Sequence, residues 1–149
     1  MVHALQEIRR LLKPRGILID IHPVPVAPLY EVHAEGGVRF AAAVPGYDGD
    51  EDVVQADKAV VRSLKRRVFV LEDRREFDFL TYGSTVKELL DFLEESSAFH
   101  QAEGTEDEPL SSEEEAFFDR LEESHRSAGA GAEVAVRERG RASRLRPAR

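Results

Sequence analysis

Ala4-Leu5-Gln6-Glu7-Ile8-Arg9-Arg10-Leu11-Leu12-Lys13-Pro14-Arg15-Gly16-Ile17-Leu18-Ile19-Asp20 is the stretch on which the fold turns. Ala4, Leu5, Ile8, Leu11 and Leu12 recur at helical spacing, while Gln6, Glu7, Arg9 and Arg10 take the other faces. This pattern predicts an amphipathic helix over residues 3–12. Lys13-Pro14 ends it, because the residue before a proline avoids helical backbone. Gly16 then releases Ile17-Leu18-Ile19-Asp20-Ile21. A short apolar run bounded by Gly and Pro has the pattern of a strand buried on both faces. Helix, tight turn and buried strand together predict an α/β fold built on a parallel sheet.

Working outward, Pro23, Pro25 and Pro28 keep the next stretch extended and away from a sheet centre. Residues 30–34 and 38–41 flank Glu35-Gly36-Gly37 and read as a β-hairpin. A helix is expected from the acids at 48–52 to about Arg66, burying Val53, Ala56, Val60 and Leu64. Val68–Leu71 and Phe77–Tyr82 are strand candidates on either side of a charged turn, Glu72-Asp73-Arg74-Arg75. Thr85 and Glu88 can cap a helix carrying Val86, Leu89, Leu90 and Leu93, and Ser111 with Glu114, or Ser112 with Glu115, can cap another. Glu133–Arg137 alternates as a final strand. The expected organisation is an α/β domain over residues 1–97, an acidic loop at 98–110, a helix and last strand at 111–141, and a disordered basic tail at 142–149.

The chain has 149 residues and a net charge of −8. Its hydrophobic share of 42% suits a globular domain, and the 34% of charged residues puts part of the chain outside the core. With no cysteine, disulfide scaffolds, Cys-based metal sites and thiol catalysis are excluded. No run reaches the ~20 apolar residues of a membrane span, and the default location is the cytoplasm. Charge is polarised: Glu94–Glu123 holds twelve acids against Arg120, and Arg126–Arg149 holds seven arginines against Glu133 and Glu138. The acidic total and the scarcity of aromatics in the basic tail argue against a nucleic-acid partner.

The segment from Ala4 to Asp20 resembles one found in class I S-adenosylmethionine-dependent methyltransferases, where a helix of the form AL-x-E-x-x-R-x-LKPGG leads into the fifth strand of a Rossmann-like sheet. Arg15 stands where a second glycine is usual. The later order is also similar: a helix, a Phe-rich strand at Phe77-Asp78-Phe79, the capped helix of Ser84-Thr85-Val86-Lys87-Glu88-Leu89-Leu90, a further helix and a final Val/Arg strand. The resemblance implies the C-terminal half of such a transferase: a partial Rossmann-like sheet from the fifth strand onward, with an added hairpin and flanking helices. The activity it implies is methyl transfer from S-adenosylmethionine to a small acceptor of unknown identity.

That family grips its cofactor with a glycine-rich loop after the first strand and an acid at the end of the second. Gly36-Gly37 sits in a hairpin context, and Gly129 and Gly131 come too late in the chain, so no cofactor-binding residue is assigned. The expectation is a truncated enzyme half that does not hold S-adenosylmethionine tightly by itself. The alternative is a non-catalytic remnant, or an interaction module that completes its sheet with another chain.

Asp20 and His22 end the buried strand, where open α/β sheets place their ligands, and are the substrate-cleft candidates. His22 could serve as a base, or both residues could simply satisfy loop backbone beside the prolines. His3, His22, His33, His100 and His125 never recur at metal-ligand spacing, so no metal is assigned. Phe77, Phe79 and Tyr82 suit a pocket or, better, core packing. No serine sits in a nucleophile elbow. Without the neighbouring strand of a complete sheet, Ile17–Ile21 would present an unprotected edge, so a homo-oligomer or a partner chain is expected there.

Overall fold

The computed structural model describes residues 2–47, 49, 51–98 and 110–148, with backbone alone at 2, 3, 97 and 98. Its elements run α1 (Val2–Leu11), β1 (Leu18–Pro23), β2 (Leu29–Ala34), β3 (Gly37–Ala43), α2 (Glu51–Lys65), β4 (Phe69–Gly83), α3 (Val86–Ala98), α4 (Ser112–Ala128) and β5 (Glu133–Pro147). This is a mixed α/β protein. β1, β2 and β4 all pair with β5, and β3 pairs with β2. The β1–β5, β2–β5 and β2–β3 pairs are antiparallel. Among the described residues, no helix is long and apolar enough to cross a membrane. The chain divides into two compact units.

The first unit comprises residues 1–26, 48–79 and 138–149. Here β1 runs against the second half of β5, from Leu18 opposite Leu145 to Pro23 opposite Gly140. Leu18 and Leu145 lie on one face, beneath the apolar stripes of α1 and α2. There Leu5, Ala59, Val60, Val68, Phe69 and Leu145 form a core, with Ile8, Leu12 and Leu64 against it. The end of β5 is tied down twice: Ala148 N–H donates to the Val68 carbonyl (3.1 Å), and Arg9 donates to the Ala148 carbonyl (2.9 Å). Gly140 leaves room for the Phe77 ring, whose far end would have to shift to admit a side chain. A β-carbon there would stand 2.6 Å from the Phe77 ring.

The second unit comprises residues 27–47 and 80–137. Tyr30 and Val32 of β2 and Val134 and Val136 of β5 meet Phe117 and Leu121 of α4 and Val86 and Leu89 of α3. Tyr30 takes edge contacts from Phe117 and Phe118 at 5.7 and 5.6 Å, the geometry that aromatic quadrupoles favour. Ser111 and Glu114 form the expected capping box on α4. Thr85 accepts from the Glu88 N–H at the start of α3 (3.1 Å). The hairpin turns through Gly36 and Gly37 at φ 89° and 119°, values that glycine tolerates without a β-carbon penalty.

Several expectations change. Ile17–Ile21 is not buried on both faces: Ile17, Ile19 and Ile21 are 39%, 51% and 65% exposed. Among the described residues its strand partner is β5, antiparallel, and α1 and α2 pack on the Leu18 face. Glu72–Arg75 is not a turn, since β4 passes straight through it. Phe77, Phe79 and Tyr82 are exposed rather than core. Residues 142–147 are not a disordered tail but the second half of β5, with Ser143 and Leu145 fully buried. Arg144 between them and Arg146 after them pair with Glu72, so a basic segment can run as a strand over a core. The acidic loop at 98–110 falls almost wholly outside the described residues, as does His100.

Leu145 has no exposed surface, so Leu145→Ala is expected to destabilise the chain by about 2–5 kcal/mol. Ser143 is equally buried, and among the described residues its hydroxyl has no hydrogen-bond partner. Ser143→Ala should therefore be neutral or slightly stabilising. Denaturant titration of both variants checks this; equal losses would show that the end of β5 is not packed as described.

Candidate functional site

Each unit carries a histidine held by carboxylates. Each arises from the same local pattern, an acid two residues before a histidine on a strand, because a period of two puts both side chains on one face.

In the first unit the sequence-derived candidates come together on the helix-covered face of β1. His22 Nδ1 stands 2.8 Å from Asp20 Oδ2, and its Nε2 stands 3.5 Å from Asp57 Oδ1 on α2. Arg141 of β5 donates to Asp57 and, from Nη2, to Glu76 Oε1 of β4 at 2.8 Å. His22 is only 9% exposed. Both ring nitrogens face carboxylates, so the imidazole ties β1 to α2 and offers no free nitrogen to a ligand in this arrangement.

In the second unit Glu31 of β2 is buried, and Arg137 of β5 grips it with two hydrogen bonds, Nε to Oε1 at 2.7 Å and Nη2 to Oε2 at 3.0 Å. His33 Nε2 lies 2.7 Å from Glu31 Oε2. The Arg137 hydrogen bonds, and to a lesser degree that of His33, hold the Glu31 carboxyl below its ordinary range against the opposing effect of burial. An ionised carboxylate only accepts, so His33 Nε2 donates, and in the neutral imidazole Nδ1 then carries the lone pair. Among the described residues nothing bonds to that nitrogen, and the side chain is 24% exposed. The Tyr82 ring meets the imidazole edge-on at 5.4 Å. An oriented imidazole with one nitrogen open can accept a proton or a hydrogen bond.

Sequence reasoning named Asp20 and His22 but missed Asp57, Glu76 and Arg141 around them. It also missed the pairing of Glu31 with His33 and Arg137. The Glu31-Val32-His33 spacing was the signal for the second cluster; Arg137 is distant in sequence and gave none.

The glycines do not make a cofactor grip. Gly83 ends β4 ahead of α3, and the space beside it is filled: a β-carbon there would lie 2.8 Å from the Leu89 nitrogen. Gly46 and Gly49 lie between β3 and α2, but β3 is the largely exposed second strand of an antiparallel hairpin, not a buried parallel strand. Gly36 and Gly37 turn the hairpin, and Gly129 ends α4. These residues therefore do not fit S-adenosylmethionine as the family holds it. Among the described residues no group of three or more His, Asp or Glu side chains is placed to hold a metal ion. No protein-family model matches the chain, and no curated protein is significantly similar to it.

The Glu31 pair sets an acid dependence. A carboxyl whose folded pKa lies below its ordinary value of 4.5 stabilises the fold above that value. The contribution disappears as pH falls through the lowered folded value. Glu31→Gln should cost about 1–3 kcal/mol at neutral pH and flatten the loss of stability below about pH 4.5. Urea unfolding of both proteins between pH 3 and 7 measures it; parallel curves would show that Glu31 is not so held.

Proposed function

We propose that this chain is the distal half of a methyltransferase-like sheet, and that it works in an assembly completed along β1. The reaction of that assembly is S-adenosylmethionine-dependent methyl transfer to a small acceptor. One observation carries this reading: β1, the strand on which the resemblance is sharpest, has β5 on one side and, among the described residues, no strand on the other. Backbone donors and acceptors on an open edge call for another segment.

The element order supports the same reading. The helix, strand, helix, Phe-rich strand, two helices and Val/Arg strand of the resemblance correspond to α1, β1, α2, β4, α3, α4 and β5, with the β2–β3 hairpin inserted after β1. In this reading the cofactor is gripped by residues other than these 149, and the chain by itself holds it weakly. The chain contributes the sheet and an oriented imidazole, His33. A cysteine-free composition suits a cytoplasmic setting. The filled space at Gly83 favours the second reading, an interaction module that completes its sheet with another chain without turnover.

Hydrogen exchange on the dilute chain tests the open edge. Within Leu18–His22, amides that donate to β5 should exchange at least about 100-fold more slowly than the amides alternating with them. Uniform protection along the strand would mean that the edge is covered from within the chain, and would contradict the reading.

A further inference from the structure

We propose that the partner at this edge is a second copy of the chain, its β1 antiparallel to the first and in register about Ile19. The inference rests on the open edge and takes the second of those readings, sheet completion without turnover, since a second copy brings no cofactor grip. Ile17, Ile19 and Ile21 occupy alternate positions, and all three are exposed. On that face Ile19 and Ile21 lie opposite Arg144 and Ala142 of β5, with the Phe77 ring seated over Gly140.

The isoleucines read the same in either direction. A two-fold axis at Ile19 sets it beside Ile19 of the second copy, and sets each Ile17 beside an Ile21. Every exposed β-branched residue of the strand thereby gains a cross-strand apolar neighbour. Neighbouring registers do worse. An axis at Asp20 brings two carboxylates opposite each other, and one at Leu18 places Ile21 against Arg15.

Charge agrees with the antiparallel sense. Exposed Lys13 and Arg15 precede the strand, while Asp20, Asp57 and Glu76 gather at its far end. Antiparallel pairing brings the basic end of each copy to the acidic end of the other. Nothing on the strand blocks such pairing: from Gly16 to Ile21 there is no proline, and the only charge is Asp20, which His22 engages. The interface is small, at the weak end of the specific range, so association belongs to high micromolar concentration.

The chain has no cysteine, so each introduced thiol is unique. Under mild oxidation at high micromolar concentration, Ile19→Cys should form a disulfide dimer, since directly opposed residues meet disulfide spacing. Ile17→Cys and Ile21→Cys should each cross-link poorly alone and efficiently when mixed. Val70→Cys, exposed on β4, sets the background. Wild type that is dimeric by light scattering, with this pattern of cross-links, supports the proposal. A monomeric wild type, or Ile19→Cys no faster than Val70→Cys, overturns it. Either failure leaves the open edge standing if the dilute chain still shows alternating exchange; uniform protection there would remove both.

Discussion

A ladder of arginines on β5 facing acids on β4 and α2 is the constraint on which the first unit depends. Arg139 meets Asp78 at 3.0 Å, Arg141 meets Glu76 and Asp57, and Arg144 and Arg146 share Glu72. Each exposed pair is worth little by itself. Together they let a strand with an arginine at almost every second or third position lie over an apolar core, with its guanidinium groups neutralised at the rim. Leu145 and Ser143 are the residues this arrangement takes inside, and Leu18 of β1 is seated opposite Leu145. Without β5 in place, β1 has no neighbouring strand among the described residues.

The local elements were legible where one short-range cause decides them. Periodicity placed α1 and α2, serine and threonine caps placed the starts of α4 and α3, and paired glycines placed the hairpin. What failed was read from local charge. Glu72-Asp73-Arg74-Arg75 looks like a turn, yet the partner that makes Glu72 tolerable in a strand is Arg146, 74 residues away. The basic end looked like a tail for the reciprocal reason. Ile17–Ile21 looked doubly buried because an unbroken apolar run is the mark of a central strand. In this chain one face of that run is covered by helices and the other is open.

The same distinction governs the site. Asp20 and His22 were found from their place at a strand end, and the structure does bring them together, but it spends both imidazole nitrogens on carboxylates. The chemically open ring is His33, whose orientation comes from a buried Glu31 and a residue far along the chain, Arg137. A pattern of acid and histidine two apart is visible in sequence. Which of two such patterns keeps a nitrogen free depends on what packs above it: α2 covers His22, whereas the edge of the Tyr82 ring meets His33.

Because β5 organises the core of the first unit, shortening it is the most direct test of the account. Thermal unfolding of the chain lacking residues 142–149 should show the melting midpoint collapsing or the cooperative transition lost, as expected when a strand with two fully buried side chains is removed. A midpoint within a few degrees of the full chain would contradict it. It would mean that the arginine-rich end is a solvated tail, and that neither β1 nor its open edge is held in the way described.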